Sequence, residues 1–276
     1  MNRKSVIWLL LPAFMGVLLF ALFPIIQIII PTFQTRYGFW GLYSTFLRNT
    51  YNWQIIGRTF FIAIVTVILV LILGLPISLW IARQKKSIKQ ILMILILFPM
   101  LTNAVVRNFA WIIILGRDGI VNKFLLNFHL INHPLSLLYT NLAIIIGSIY
   151  LFLPIMIITL TSNISELNLE VEEAAAVLGS TPLQTLFKII IPQLTTGIFT
   201  GCILVFAGTM TAYTTPQILG GNRHLVMSTL IYQQAMTLGN WQKASVIALI
   251  LIIISALSMW IMKKINYFLD RRPSRA

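Results

Sequence analysis

Apolar residues in this chain run in long blocks instead of alternating with polar ones. Val6–Ile30, Thr59–Ala82, Gln90–Leu115, Tyr139–Ser162 and Ala244–Met262 are five such blocks. A helix of about 20 apolar residues spans a hydrocarbon core of about 30 Å, and each block reaches that length. A sixth block, Leu194–Thr215, is interrupted by glycines and threonines but is as long. The pattern predicts an all-α integral membrane protein with six spanning helices, forming one domain over residues 1–276.

The segments between the blocks are unequal. Three are predicted to lie on one side. Pro31–Arg58 is rich in aromatic residues, Gly116–Leu138 is expected to hold a short helix ending near Pro134, and Pro216–Lys243 contains LVMSTLIYQQAMTL, apolar enough to lie on or dip into the membrane surface. On the opposite side, Arg83–Lys89 is short and basic, and Asn163–Pro192 is the one substantial segment. The start, MNRK before an apolar run, superficially resembles a signal peptide. Its apolar run is longer than the usual ~7–15 residues of such a segment and no small-residue cleavage site follows, so a retained first span is expected.

Composition agrees with this pattern. The chain is 58% hydrophobic and 9% charged, which excludes a soluble globular core of this size. The net charge of +14 raises the question of nucleic acid, but its placement answers against it. Twelve Lys and Arg fall at the two ends, in Arg83–Lys89 and at Lys188. Seven fall on the other side, at Arg36, Arg48, Arg58, Arg117, Lys123, Arg223 and Lys243. The richer side of a membrane protein is cytoplasmic, so both termini are expected in the cytoplasm of a bacterial cell. Trp80 and Trp260 near the inner ends, and Trp40, Trp53 and Trp241 outside, fit an interfacial belt. The one cysteine, Cys202, falls within the fifth block and supports neither a disulfide framework nor a thiolate metal site.

Four of the six acidic residues lie between Glu166 and Glu173. Leu167, Val171, Ala174, Ala175 and Leu178 are spaced by threes and fours, which predicts an amphipathic helix from Glu166 to Leu178 with its acids near the positive end of the helix dipole. Gly179 stands where a left-handed cap belongs. Thr181, Pro182 and Gln184 read as N-cap, first helical position and capping-box partner of a second helix running to Ile191, with Pro192 opening the fifth span.

Glu173-Ala174-Ala175, three residues, Gly179, nine residues, then Ile189-x-Ile191-Pro192 resembles the EAA loop of permease subunits in binding-protein-dependent ABC importers. Ile191 replaces the leucine usual before the proline. The resemblance implies a type I importer permease with residues 163–192 as its coupling loop, docking on a cytoplasmic ATPase through Glu173, Ala174, Ala175, Gly179, Ile189 and Pro192. VRNFAWIIILGRDGIVN, TPQILGGNRHLVMSTLIYQQ and NWQKASVIALIL are similar to stretches in the polyamine, opine and phosphonate group. The family implies a second permease subunit, two ATPase subunits and an extracytoplasmic solute-binding protein as partners, with ATP and Mg bound by the ATPases and no cofactor in this chain. Many polyamine-type members have an acid where this chain has Ala212, and no acid lies within its spans.

Several residues are candidates for a substrate path. Arg107 is the one charge inside a predicted span, with Asn103 a turn away; it is either a path residue or a strut within the bundle. Thr209, Thr211 and Tyr213 group near the outer end of the fifth span, facing the path or a neighbouring helix. Gly197 and Gly201 form a GxxxG pair, read as tight helix packing. His129 and His133 have a spacing open to metal but lack further ligands, and are read as interfacial histidines. No GxxxxGK[ST] loop is present, so ATP is not expected to bind here in that way. An intramembrane enzyme would need converging bases and nucleophiles within the spans, and a passive channel would need no docking helix. A transport subunit is the expectation.

Overall fold

The computed structural model describes residues 3–33 and 38–269, and every regular element in them is helical. Residues 1–2 and 270–276, which hold both ends expected in the cytoplasm, and Arg36 lie outside the described residues. Four helices are long and apolar enough to cross a membrane, and two bent pairs bring the number to six if each pair is one span.

The described residues form two compact units. The first combines the chain up to Ile55 with Met227–Ile253. It holds α1 (Arg3–Phe33), α2 (Gly38–Arg48), the first turns of α3 (Thr50–Ala82), α12 (Met227–Tyr232) and the first half of α13 (Trp241–Leu269). The aromatic-rich outer segment is thus mostly helical. Asn49 separates α2 from α3 because its side chain accepts from Tyr51 N at 2.9 Å, as an N-cap does. Asn52 Nδ2 and Trp53 Nε1 then donate back to the carbonyls of Phe46 and Leu47, the last turn of α2.

The second unit runs from Ile56 to Val226 and resumes at Ile254. Its centre is α7 (Asn141–Ser165), against which α4 (Lys86–Leu101), α5 (Ala104–Leu115) and α11 (Thr195–Thr211) pack. Close approach to α7 is made by glycine. A Cβ on Gly201 would lie 2.6 Å from Met156 Sδ, one on Gly197 2.7 Å from Asn163 Cγ, and one on Gly208 2.4 Å from the Phe152 ring. Gly74 of α3 faces Met156 from another side, at 2.9 Å. The GxxxG pair on α11 is therefore a packing surface.

The third block does not form one straight helix. α4 ends at Leu101 and α5 begins at Ala104, and α4 meets the segment Ala104–Asn127 at 90°. Thr102 and Asn103 are both extended at the break, with ψ of 145° and 130°. The short outer helix is α6 (Ile120–Asn127), which ends before Pro134. The helix of the fifth block stops at Thr211, where Ala212 turns to ψ 129°. Beyond it Pro216–Gly220 forms a wide π-turn packed on α7. Gly147 of α7 admits this turn, since a Cβ there would lie 2.6 Å from Leu219 and 2.7 Å from Thr215.

Candidate functional site

Between α7 and α11 the chain makes a helix–turn–helix. α8 (Leu169–Val177) starts three residues, less than one turn, later than the spacing suggests, at Leu169 and not Glu166, because the Asn168 side chain takes the N-cap position and accepts from Glu170 N at 3.0 Å. Glu170 and Glu172 fall in its first turn, where the dipole favours anions. At the other end Gly179 has φ +83°. Gly179 N donates to Ala176 O and Ser180 N to Ala175 O, each at 3.0 Å, which is the bonding of a Schellman cap. α9 (Pro182–Thr185) follows at once. Thr181 Oγ1 accepts from Gln184 N while Gln184 Oε1 accepts from Thr181 N, so the capping box is complete.

The second helix is not regular. Leu186–Ile190 is a π-turn, closed by Ile191 N donating to Leu186 O, before α10 (Ile191–Gln193). Pro192 has no N–H to offer the carbonyl four residues back, and the wider turn places a different donor over the preceding ring. The bend between Pro182–Gln193 and α11 is 70°.

This arrangement sorts the expected docking residues. Glu173, Ala174, Gly179 and Pro192 are exposed, Ala175 is buried against the chain itself and Ile189 is half-buried. The sequence reading did not single out the two most exposed apolar residues of the segment. Val177 and Leu178 are 88% and 86% exposed, and Leu183 and Phe187 flank them, also exposed. Together they make an exposed apolar patch on an otherwise polar loop. Two large apolar residues directly before Gly179 were the available signal. The acidic cluster also has an intrachain partner, since Arg83 Nη2 meets Glu172 Oε2 at 2.5 Å.

The candidate path residues are held in local bonds. Arg107 is buried and its Nη1 donates to Pro99 O at 2.8 Å, across the break between α4 and α5. Asn103 is exposed and serves as the N-cap of α5, its Oδ1 accepting from Val105 N and Val106 N. Thr209 is buried and bonds to Val205 O. Thr211 is exposed and bonds to Ala207 O, and Tyr213 is half-buried. The break and the C-terminal end of α11 both belong to the second unit.

Elsewhere in this unit, Arg58 Nη1 donates to the carbonyls of Leu225 at 3.0 Å and Arg223 at 3.4 Å. His224, in its Nδ1–H tautomer, donates to Asn141 Oδ1 at 2.8 Å. Burial, and after it the charges of Arg58 and Arg223, hold the His224 imidazole below its ordinary pKa.

Residues 74–274 match the family described as binding-protein-dependent transport system inner membrane component. The spermidine/putrescine transport system permease protein PotB of Haemophilus influenzae is 29% identical over 266 residues, covering 94% of this chain and 93% of that protein. PotB of Escherichia coli is 28% identical, with 92% and 95% covered. The molybdenum transport system permease protein ModB of Mycobacterium bovis is 27% identical, with 91% and 90% covered. Among solved structures, a bacterial ABC transporter involved in the import of alginate superposes with a TM-score of 0.80 over 96% of each chain at 16% identity. The alginate transporter in complex with its alginate-bound periplasmic protein gives 0.82, covering 98% of this chain and 96% of that one. The exposed helix–turn–helix and the glycine-packed bundle are thus those of a type I importer permease, and the chain belongs to the inner-membrane components of binding-protein-dependent transport systems.

Proposed function

We propose that this subunit forms half of the translocation path of an ATP-driven importer whose substrate is a polyamine such as spermidine or putrescine. The other half comes from a second permease, identical or similar. Two ATPase subunits bind ATP and Mg and dock on the loop 163–192, and an extracytoplasmic solute-binding protein delivers the solute. The observation that carries the docking role is the exposed apolar surface of Val177 and Leu178 beside the left-handed Gly179. The substrate class rests on the relatives named for spermidine and putrescine.

In this reading both termini and the acidic segment are cytoplasmic, as the charge asymmetry indicates. Cysteines placed at Asn2 and Ser274 are then labelled from the cytoplasmic side alone. Asn103, Thr209, Thr211 and Tyr213 are the proposed contributors to the path, and Arg107 braces the corner between α4 and α5 beside them. A second reading, an opine, phosphonate or other solute, is favoured by one observation: Ala212 stands where polyamine-type members carry an acid, and the spans hold no carboxylate to meet a polycation.

The decisive experiment is native mass spectrometry of the cognate solute-binding protein, followed by uptake of the ligand found into vesicles carrying the full transporter. A polyamine ligand with ATP-dependent uptake supports the first reading. An anionic ligand transfers the assignment to the second. Uptake independent of ATP would overturn both and favour a passive channel.

A further inference from the structure

The loop Arg83–Lys89 is the other cytoplasmic feature, and it touches the docking segment twice. Arg83 follows directly on α3, and its guanidinium pairs with Glu172 of α8 at 2.5 Å. Lys89, in the first turn of α4, bonds through its ammonium to Ser165 Oγ at the last residue of α7. Ser165 in turn donates to Thr161 O at 2.6 Å. One polar tie thus grips the docking helix itself, and the other grips the helix end from which it departs.

The charges around these ties are complementary. Arg83, Lys85, Lys86 and Lys89 occupy one short turn, and Glu166, Glu170, Glu172 and Glu173 occupy the facing segment. The Arg83 side chain is 51% exposed and that of Glu172 is 21% exposed. A pair in such a setting contributes little to stability. It does fix geometry, because a guanidinium engages a carboxylate with directed N–H donors.

We propose that the basic turn is a clamp, in which Arg83–Glu172 and Lys89–Ser165 hold α8 so that its displacement is passed directly to α3 and α4. Without the clamp, motion of α8 reaches α3 and α4 less directly, through its connections to α7 and α9 and the packing of Ala175. Arg83 is then a positioning residue for coupling. The inference rests on the proposed docking of an ATPase at α8.

The test uses the purified full complex with its ATPase and its liganded solute-binding protein as isolated. The quantity read is the ratio of hydrolysis stimulated by the binding protein to basal hydrolysis, which reports passage of the signal through the membrane subunit. Arg83→Glu should leave ATPase co-purification and basal hydrolysis intact while lowering this ratio by roughly two- to fivefold. The double variant Arg83→Glu with Glu172→Arg should recover it. A wild-type ratio in Arg83→Glu, or no recovery in the double variant, would overturn the clamp. A separate measurement needs no ATPase. In the isolated subunit with Cys202→Ser, cysteines at positions 83 and 172 should be joined by a bifunctional maleimide whose reach matches an extended arginine–glutamate pair, and failure to do so also overturns it. If the wild-type subunit does not retain an ATPase but the cross-link forms, the docking assignment fails and the contact stands.

Discussion

Arg107 Nη1 lies 2.8 Å from the carbonyl oxygen of Pro99, eight residues earlier in the chain. The contact closes the corner between α4 and α5, where Thr102 Oγ1 also donates to the same carbonyl at 2.8 Å. Of the two roles open to a lone cation in a span, a strut and a path residue, this geometry favours the strut. Arg107→Ala should lower the thermal midpoint in detergent, corresponding to about 1.5–3 kcal/mol for a charge-assisted bond. Arg107→Lys, which keeps one donor, should recover part of it. A path role alone would instead leave the midpoint unchanged and reduce uptake.

Gly179→Val should reduce ATPase co-purification and ATP-driven uptake while the spans still insert. A Cβ at this position meets no atom within 4 Å, so the cost within the chain is backbone strain at φ +83°. For a β-branched residue that strain is on the order of 1–3 kcal/mol. Gly179→Asn, which tolerates the left-handed region, should be much milder. Equal effects of Val and Asn would point to loss of space at the partner and not to strain.

Two glycines on α11 should differ in their tolerance of alanine. At Gly201 the new Cβ meets the flexible end of Met156, whereas at Gly208 it meets the rigid Phe152 ring. Gly208→Ala should therefore cost about 1–3 kcal/mol and Gly201→Ala less, read from thermal unfolding of the purified subunit. Phe152→Leu should partly rescue Gly208→Ala and leave Gly201→Ala unaffected.

Acidification should loosen the outer face around His224. Its folded pKa lies below the ordinary ~6.5, so between the two values the unfolded chain binds the extra proton. Stability from this site is present above about pH 6.5 and is lost as the pH falls through the folded value. The wild-type midpoint should drop more steeply than that of His224→Gln between about pH 7.5 and pH 5. Parallel curves would remove His224 as the source.

Much of the local backbone was legible because it rests on short-range chemistry. Gly179, Thr181 and Gln184 take the conformations their residue types suggest, since a cap is decided within a few residues. The break at Thr102–Asn103 was not legible. Its surroundings are apolar enough to continue a helix, and the corner is closed by a contact from Arg107, eight residues away from Pro99. The exposed pair Val177 and Leu178 was likewise hidden, because helical spacing places Leu178 on the inward face and the Schellman turn carries it outward. The partner of Glu172 was not legible either, because Arg83 lies 89 positions away.

The π-turn at Leu186–Ile190 gives the distance between Gly179 and Pro192 a second meaning. A π-turn accommodates one more residue than an α-turn, and one residue corresponds to about 100° around a helix axis. A helical wheel drawn straight through Pro182 to Thr211 therefore slips out of phase by more than a quarter of a revolution at this point. The nine residues between Gly179 and Ile189 act as an angular setting as well as a spacer. Losing one at the π-turn would leave the helix content of the segment nearly intact, yet would turn α11 by about 100° relative to the face that carries Val177, Leu178 and Leu183.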